Sequence, residues 1–305
     1  MNSFKHKITV IVPAYNVEKV LHHSLDSLEK QTSKHFEVLI VNDGSTDCTK
    51  QAIDPFLKRN LHWKYFEKTN GHWGSVINYV IKNNLIKGEY VTILDADDWF
   101  VDTAIEEVQR HLAKDAAIDI ILSKITLFSK NKYRNFSVIL FKSKYVKKNQ
   151  ARTPLSTPHG KFYKTSLFNK LTPLKENIPY QDVILYHDLV TKSNRIYYIN
   201  RSLSVWWFDR PENSTQAQWD EKRINLWLDN IEEINKTSLD PEIIAYSLMY
   251  LWELKRRTKI IPIRKIKINT KNVKFKWVPF YIRMFLPIKT YFKFKTKKFI
   301  NKKLD

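Results

Sequence analysis

Short apolar runs alternate with stretches of helical spacing throughout the first hundred residues, and this alternation is the strongest constraint on the fold. Four apolar runs predict buried strands, over residues 8–12, 36–41, 63–66 and 90–94. Helical patterns separate these runs, the first with Asn16 as its candidate N-cap. Strands and helices that alternate at this spacing predict an α/β fold, with a mostly parallel sheet and helices on both faces. The ligands of such sheets bind at the carboxyl ends of the strands.

The rest of the chain continues this pattern to residue 215 and then changes character. A helix is predicted over 180–192, strands are predicted over 196–199 and 203–208, and further helices follow from residue 216. The sequence therefore predicts a first domain over 1–215 and a C-terminal helical region over 216–305.

The positive charge is concentrated at the C-terminal end. The chain has a net charge of +21, and residues 255–305 contain 18 Lys or Arg and a single acidic residue, Asp305. Basic residues among Ile, Phe, Trp and Tyr suit an anionic membrane surface, where each contributes about 1 kcal/mol, and such a segment lies on the surface without spanning it. Nucleic acid is the rival partner, because polybasic aromatic segments also bind phosphate backbones. An ordinary basic subdomain is the third interpretation.

Cysteine usage and hydropathy indicate the cellular compartment. Cys48 is the single cysteine, which excludes an intramolecular disulfide and a four-cysteine zinc site and fits a reducing cytosol. The first apolar run is too short for a signal peptide and ends at Pro13. Because no stretch reaches the roughly 18 apolar residues of a spanning helix, the sequence predicts a protein that is neither secreted nor integral to a membrane.

Three carboxylates follow the fourth predicted strand: Asp95, Asp97 and Asp98. Acidic side chains this close together at a buried strand end are costly unless a positive charge neutralises them. A divalent cation with phosphate oxygens would do so, since hard cations take oxygen ligands. A solvated turn or helix cap explains an isolated D-x-D equally well. The position of this one, after the fourth of four ordered strands, favours the cation site.

Two further strand ends contain residues suited to a nucleotide. Tyr15 follows the first strand, where its ring is able to lie against a flat base, although simple packing also explains a tyrosine there. Asp43 follows the second strand and is able to accept a hydrogen bond from a base N–H, while Gly44 lets the backbone come close. The structural alternative for this second turn is an Asx-turn that caps the next helix.

Taken together, the stretches IVPAYN, VNDGSTD and LDADDW, at these separations, resemble the family 2 glycosyltransferases of GT-A fold. The stretch NGHWGS, residues 70–75, also fits bacterial members of that family. The resemblance implies a Rossmann-like domain with a donor half over about 1–100 and an acceptor half over about 101–215. It also implies an inverting transferase that uses a nucleotide-sugar, most often a UDP-sugar, with Mn²⁺ or Mg²⁺.

Carried over position by position, the resemblance implies a donor site. The residues implied to contact the nucleotide-sugar are Pro13, Tyr15, Asp43, Asn70, Gly71, Asp95, Ala96, Asp97 and Arg210. Pro13 and Tyr15 would contact the base, and Asp43 would pair with uracil. Asp97 would ligate the metal that bridges the diphosphate, and Asp95 would face the ribose or the metal.

Inverting transfer needs a base, because the acceptor hydroxyl must lose its proton as it attacks. The family places this base in a Glu-Asp pair that opens a helix, and Asp182 fits that position, with Gln181 in place of the usual Glu. The structural alternative for Asp182 is a helix N-terminal acid favoured by the macrodipole. Arg210 follows the last strand, where it would meet the diphosphate in a fork or be a solvated charge. His159 would approach the acceptor or be an ordinary turn histidine, and the turn histidine is the favoured interpretation.

These observations predict a metal-dependent transferase that moves a sugar to a cell-surface glycan, a teichoic acid or a lipid-linked oligosaccharide. The tail would then bind the inner face of the cell membrane, making the enzyme cytoplasmic and peripheral. The alternatives are a protein-glycan-extending transferase and an inactive relative that binds a nucleotide or the membrane. A nucleotidyltransferase would need a glycine- and lysine-rich phosphate loop, and a dinucleotide oxidoreductase a G-x-G-x-x-G element, and the sequence contains neither.

Overall fold

The computed structural model describes residues 7–136, 142–151, 159–210, 225–226 and 229–230. The chain divides into two compact units, residues 1–217 and residues 218–305. The predicted basic segment lies outside the described residues, as does most of the C-terminal helical region, and the domain boundary stays a prediction. In the part of the chain that is described, no helix combines the length and apolar composition needed to cross a bilayer.

The first unit alternates strands and helices in the predicted order, and the four predicted strands of the first hundred residues are confirmed. The strands are β1 (Ile8–Ala14), β2 (Phe36–Asn42), β3 (Lys64–Glu67), β4 (Tyr90–Ile93), β5 (Trp99–Phe100), β6 (Ile120–Ser129), β7 (Lys132–Phe136), β8 (Lys144–Val146), β9 (Lys161–Lys164) and β10 (Ile196–Trp207). The helices are α1 (Leu21–Glu29), α2 (Thr49–Arg59), α3 (His72–Lys82), α4 (Ala104–Lys114), α5 (Lys148–Ala151), α6 (Thr165–Phe168) and α7 (Gln181–Lys192).

The strands form one mixed sheet in the order β3-β2-β1-β4-β9-β6-β10-β5, with β7 beside β6 and β8 beside β10. The first four strands in that order pair in parallel, as helical crossovers require. β9 runs antiparallel to both of its neighbours, β4 and β6. The β6–β7 hairpin turns through Lys130 and Asn131, both at positive φ (52° and 56°), which is the geometry of a two-residue hairpin turn. β10 pairs in parallel with β6 and antiparallel with β5 and β8, so the second half of the sheet is mixed.

Two apolar layers cover the two faces of this sheet. Ile8, Val10 and Val12 of β1 point into a core that contains α1, α2 and α4. Ile11 points to the other face, where α3 and α7 pack. Successive side chains of a strand point to opposite faces, so a strand covered on both sides is apolar throughout. The predicted α/β architecture with helices on both faces is confirmed.

The loop after β1 differs from the prediction. Asn16 was expected to cap the first helix, but α1 begins at Leu21 with Val20 as its N-cap residue. Asn16 adopts a φ of 51°, and its Oδ1 accepts a hydrogen bond of 2.8 Å from the backbone N–H of Thr46. Its own N–H donates to the Ser45 hydroxyl at 3.0 Å. Asn16 therefore ties the loop after β1 to the loop after β2, and both loops border the cleft described next.

Candidate active site

A cleft of about 330 Å³ opens at the carboxyl ends of β1, β2 and β4 and is closed on one side by the first turn of α7. Nine of the ten predicted site residues line it: Pro13, Tyr15, Asp43, Asn70, Asp95, Ala96, Asp97, Asp182 and Arg210. The tenth, Gly71, is buried and does not line the cleft, but its N–H donates to Asp43. The three strand-end motifs and the residue predicted as base therefore meet in one place.

Asp43 is the first residue after β2. Its backbone N–H donates to the carbonyl of Ala14 at 2.8 Å, which fixes it beside the end of β1. Its side chain is buried at 3% exposure and forms a 2.6 Å salt bridge with Lys68. Tyr15 at the neighbouring strand end keeps 47% of its surface exposed. This corner of the cleft pairs an exposed ring with a fixed carboxylate.

Asp95 is held at the floor of the cleft by two neighbours. The indole N–H of Trp73 donates to its Oδ1 at 2.9 Å, and Nε2 of His159 lies 3.5 Å from its Oδ2. Burial raises the pKa of Asp95 from 3.8 to about 7, with His159 opposing the shift and Asp97 and Asp98 adding to it. The carboxylate is therefore easily protonated unless a cation joins it.

Asp97 faces the opposite wall. Nε of Arg210 lies 2.8 Å from its Oδ2, and both side chains are mostly buried. Burial and the neighbouring Asp98 raise the pKa of Asp97 from 3.8 to about 6, although Arg210 acts against this. Arg210 thus lies at the cleft as predicted, and its partner in the structure is a carboxylate of the acidic loop.

Asp98 and His159 form a buried pair that sequence reasoning did not anticipate. Nε2 of His159 contacts Oδ2 of Asp98, whose Oδ1 accepts the backbone N–H of Trp207 at 2.7 Å. The His159 ring stacks on Trp206, with centroids 6.0 Å apart and an interplanar angle of 16°. Burial lowers the pKa of His159, but Asp98 and then Asp95 outweigh burial and raise it to about 9. His159 is part of the acidic site and not an ordinary turn residue.

The donor set fits a divalent cation. One oxygen of Asp95, one oxygen of Asp98 and one ring nitrogen of His159 lie within 4.8 Å of one another. Burial is the main cause of the raised pKa values of Asp95 and Asp97, and a cation bound at this loop would oppose that shift. Carboxylate oxygens are ligands that Mg²⁺ and Mn²⁺ prefer. The ring of His159, whose pKa is raised to about 9, would have to lose its proton before its nitrogen could join them.

Asp182 lies in the first turn of α7, whose N-cap residue Tyr180 has a φ of 65°. Burial raises the pKa of Asp182, while the Val183 N–H and the cations Lys161 and His159 lower it. Gln181 also lines the cleft, and its Oε1 accepts the backbone N–H of Lys175 at 3.0 Å. The amide that stands in place of the usual Glu therefore supports the loop before α7.

The fold and the site define a glycosyltransferase of GT-A type. The chain belongs to glycosyl transferase family 2, whose sequence pattern matches residues 9–172, more than half of the chain. A protein of Mycoplasma pneumoniae named an uncharacterized glycosyltransferase is 38% identical over 284 residues, which cover 90% of this chain and 91% of that protein. The predicted family and enzyme class are therefore confirmed.

Two solved structures share the fold. A crystal structure of S. aureus TarS in complex with UDP-GlcNAc matches with a TM-score of 0.67 at 23% identity, over 83% of this chain and 74% of that one. The mannosyltransferase PcManGT of Pyrobaculum calidifontis, in complex with GDP-Man and Mn²⁺, matches with a TM-score of 0.52 at 18% identity, over 81% of this chain and 65% of that one. Both are nucleotide-sugar complexes of the same fold.

Proposed function

We propose that the chain is an inverting glycosyltransferase that takes a sugar from a UDP-sugar and transfers it to a hydroxyl group. The observation that carries the proposal is the single cleft that contains Asp43, the acidic loop from Asp95 to Asp98, and Asp182. The TarS structure contains UDP-GlcNAc, which supports a uridine donor. The resemblance to family 2 transferases supports the inverting outcome.

In this proposal Asp182 is the base. Its carboxylate accepts the proton of the acceptor hydroxyl while that oxygen bonds to the anomeric carbon, and the bond from that carbon to the diphosphate oxygen breaks. Attack from the face opposite the leaving group inverts the configuration. Burial raises the pKa of Asp182, which brings the carboxylate nearer to the basicity that proton removal requires.

Asp97 and Asp95 are proposed to hold Mn²⁺ or Mg²⁺, and Asp95 also belongs to the cluster that it forms with Asp98 and His159. The cation would act as a Lewis acid that neutralises the leaving nucleoside diphosphate. The Mn²⁺ in the PcManGT structure supports this assignment. Arg210 is paired with Asp97 at 2.8 Å, and the diphosphate is its proposed partner in the donor complex.

The proposed acceptor is a cell-surface glycan, a teichoic acid or a lipid-linked oligosaccharide. The support for this is the polybasic segment over 255–305, which suits an enzyme working on the cytoplasmic face of the membrane. A half-buried Asp182 in the same cleft as an intact acidic loop favours a working enzyme over an inactive nucleotide-binding relative.

Calorimetry of UDP binding tests the donor site. We expect the native chain to bind UDP more tightly with Mn²⁺ than without it, and Asp97→Ala to lose that gain, a change of roughly tenfold or more. Asp54→Ala is the matched control, because Asp54 is an exposed acid on α2. UDP binding that ignores Mn²⁺, or an undiminished gain in Asp97→Ala, would contradict the proposed metal role.

A further inference from the structure

The sheet register brings Lys68 to the carboxylate proposed to read the base. β2 and β3 pair in parallel, and Asn42 lies opposite Glu67 at their carboxyl ends. Asp43 and Lys68 each come one residue later, and the backbone N–H of Lys68 donates to the Asn42 carbonyl at 3.0 Å. Two adjacent strands therefore end in a carboxylate and an ammonium group that meet at 2.6 Å.

The ammonium group of Lys68 is fully used within the chain. It donates to Oδ1 of Asp43 at 2.6 Å, to the carbonyl of Thr69 at 2.6 Å and to the hydroxyl of Ser75 at 2.8 Å. A lysine has three N–H donors and no acceptor, so these contacts account for all of them. Asp43 lines the cleft and Lys68 does not. Lys68 is thus placed to act on a ligand through Asp43.

The two oxygens of Asp43 are unequally occupied. Oδ1 accepts from Lys68 at 2.6 Å and from the Gly71 N–H at 3.1 Å, whereas Oδ2 accepts, among the described residues, from the Gly71 N–H alone at a long 3.3 Å. The carboxylate is also 3% exposed, so its orientation is fixed by these donors. It therefore offers the cleft one oxygen with acceptor capacity left, and not two.

We infer that Lys68 is a positioning residue that makes the donor site selective for uracil, an inference that rests on the proposed function. Uracil presents one ring N–H between two carbonyl groups, which a single acceptor oxygen satisfies. Guanine presents two adjacent N–H donors that match both oxygens of a free carboxylate, and here Oδ1 is already committed to Lys68. Cytosine and adenine present a ring nitrogen acceptor that a carboxylate repels. A polar site discriminates strongly when a mismatch leaves a buried group unpaired.

Calorimetry with UDP, GDP and CDP, on the native chain, Lys68→Met and Lys50→Met, tests this inference. Met keeps an unbranched stem without the ammonium group, and Lys50 is an exposed lysine whose nearest carboxylate is Glu67 at 3.7 Å, so its variant is the control. In the native chain and the control we expect UDP to bind at least about tenfold more tightly than GDP. In Lys68→Met we expect that ratio to shrink to within about threefold, because Oδ1 of Asp43 loses its shortest bond and keeps only the longer contacts to the Gly71 N–H at 3.1 Å and the Ser75 hydroxyl at 3.4 Å.

A second measurement needs no variant. UDP methylated at the ring nitrogen N3 lacks the proposed donor to Asp43, and we expect the native chain to bind it at least about tenfold more weakly than UDP. Equal binding of the two, or an unchanged UDP-to-GDP ratio in a folded Lys68→Met, would overturn the role of Lys68 and leave the proposed function standing. A native chain that binds no nucleoside diphosphate would overturn the proposed function and this inference with it.

Discussion

The three aspartates of the loop after β4 have different surroundings, and the differences suggest separate roles. Asp98 is bonded to His159 and to the backbone of Trp207, so it anchors the loop to β10. Asp95 and Asp97 line the cleft with pKa values raised to about 7 and about 6. A carboxylate whose pKa is higher in the folded than in the unfolded state binds more protons when folded. Its contribution to stability therefore falls as the pH rises from 3.8 through its folded value.

The raised pKa values of Asp95 and Asp97 predict that metal binding depends on pH. We expect Mn²⁺ to raise the Tm by several degrees more at about pH 8 than at about pH 5, because protons compete for Asp95 and Asp97 at the lower pH. Thermal melts with and without Mn²⁺ at the two pH values measure the difference. Asp97→Asn should lose most of the gain at pH 8, while Asp54→Asn should keep it. An equal rise at both pH values would contradict the assignment.

At the scale of elements, the packing of α3 against the start of α7 sets the position of Asp182. Gly74 lies in the first turn of α3, where a Cβ would come within 3.0 Å of the Lys175 carbonyl and 3.1 Å of the Gln181 side chain. Gln181 is itself bonded to the backbone of Lys175. A side chain at position 74 would therefore push on the turn that presents Asp182 to the cleft.

We expect Gly74→Ala to lower the free energy of unfolding by about 1 kcal/mol, because overpacking outweighs the better helix propensity of Ala. Turnover should fall by a larger factor than UDP affinity, because the added methyl group would displace Asp182 more than Asp43. Urea unfolding and nucleotide-sugar turnover measure the two effects. Lys82→Ala, at an exposed position of the same helix, is the control. Native stability and native turnover in Gly74→Ala would contradict the claim that the packing of α3 against α7 sets the position of Asp182.

Much of the site was predictable because its residues follow consecutive parallel strands. Apolar runs locate β1, β2 and β4, and parallel strands end at one edge, so Tyr15, Asp43 and Asp95 had to lie close together. His159 was missed because β9 has no clear apolar signal in the sequence. The antiparallel register that pairs Thr92 with Phe162, extended by three residues, sets His159 opposite Asp95.

Lys68 was missed for a related reason. Its importance comes from the pairing of β3 with β2, which sets it beside Asp43, and a lysine after a short strand is indistinguishable in sequence from a solvated one. Gln181 departs from the family pattern in the sequence itself, but only packing shows that its amide supports the Lys175 backbone. Contacts set by register and packing are thus the part of the site that local patterns do not contain.

At the scale of the whole molecule, charge separates the catalytic unit from the C-terminal segment. The segment over 255–305 contains 18 of the 52 Lys and Arg residues of the chain. We expect the full chain to co-sediment with vesicles that contain phosphatidylserine and not with pure phosphatidylcholine, and to dissociate between about 0.1 M and about 0.5 M salt. Equal binding to both lipids would favour a purely internal role for the segment. Binding that added RNA abolishes, whatever the lipid charge and concentration, would favour the nucleic-acid interpretation.

The proposed function requires that this cleft transfers sugar from a UDP-sugar with Asp182 as the base. The most direct test is the rate of UDP release from the UDP-sugar that the native chain turns over, compared between Asp182→Asn and Asp188→Asn. Asp188 is an acid of the same helix that bonds Thr172 and Lys192, so its variant is the matched control. We expect Asp182→Asn to lose about 10²- to 10⁴-fold in rate while its UDP affinity stays within about threefold of native, and Asp188→Asn to keep its rate. An unchanged rate in Asp182→Asn would contradict the role of Asp182 as the base.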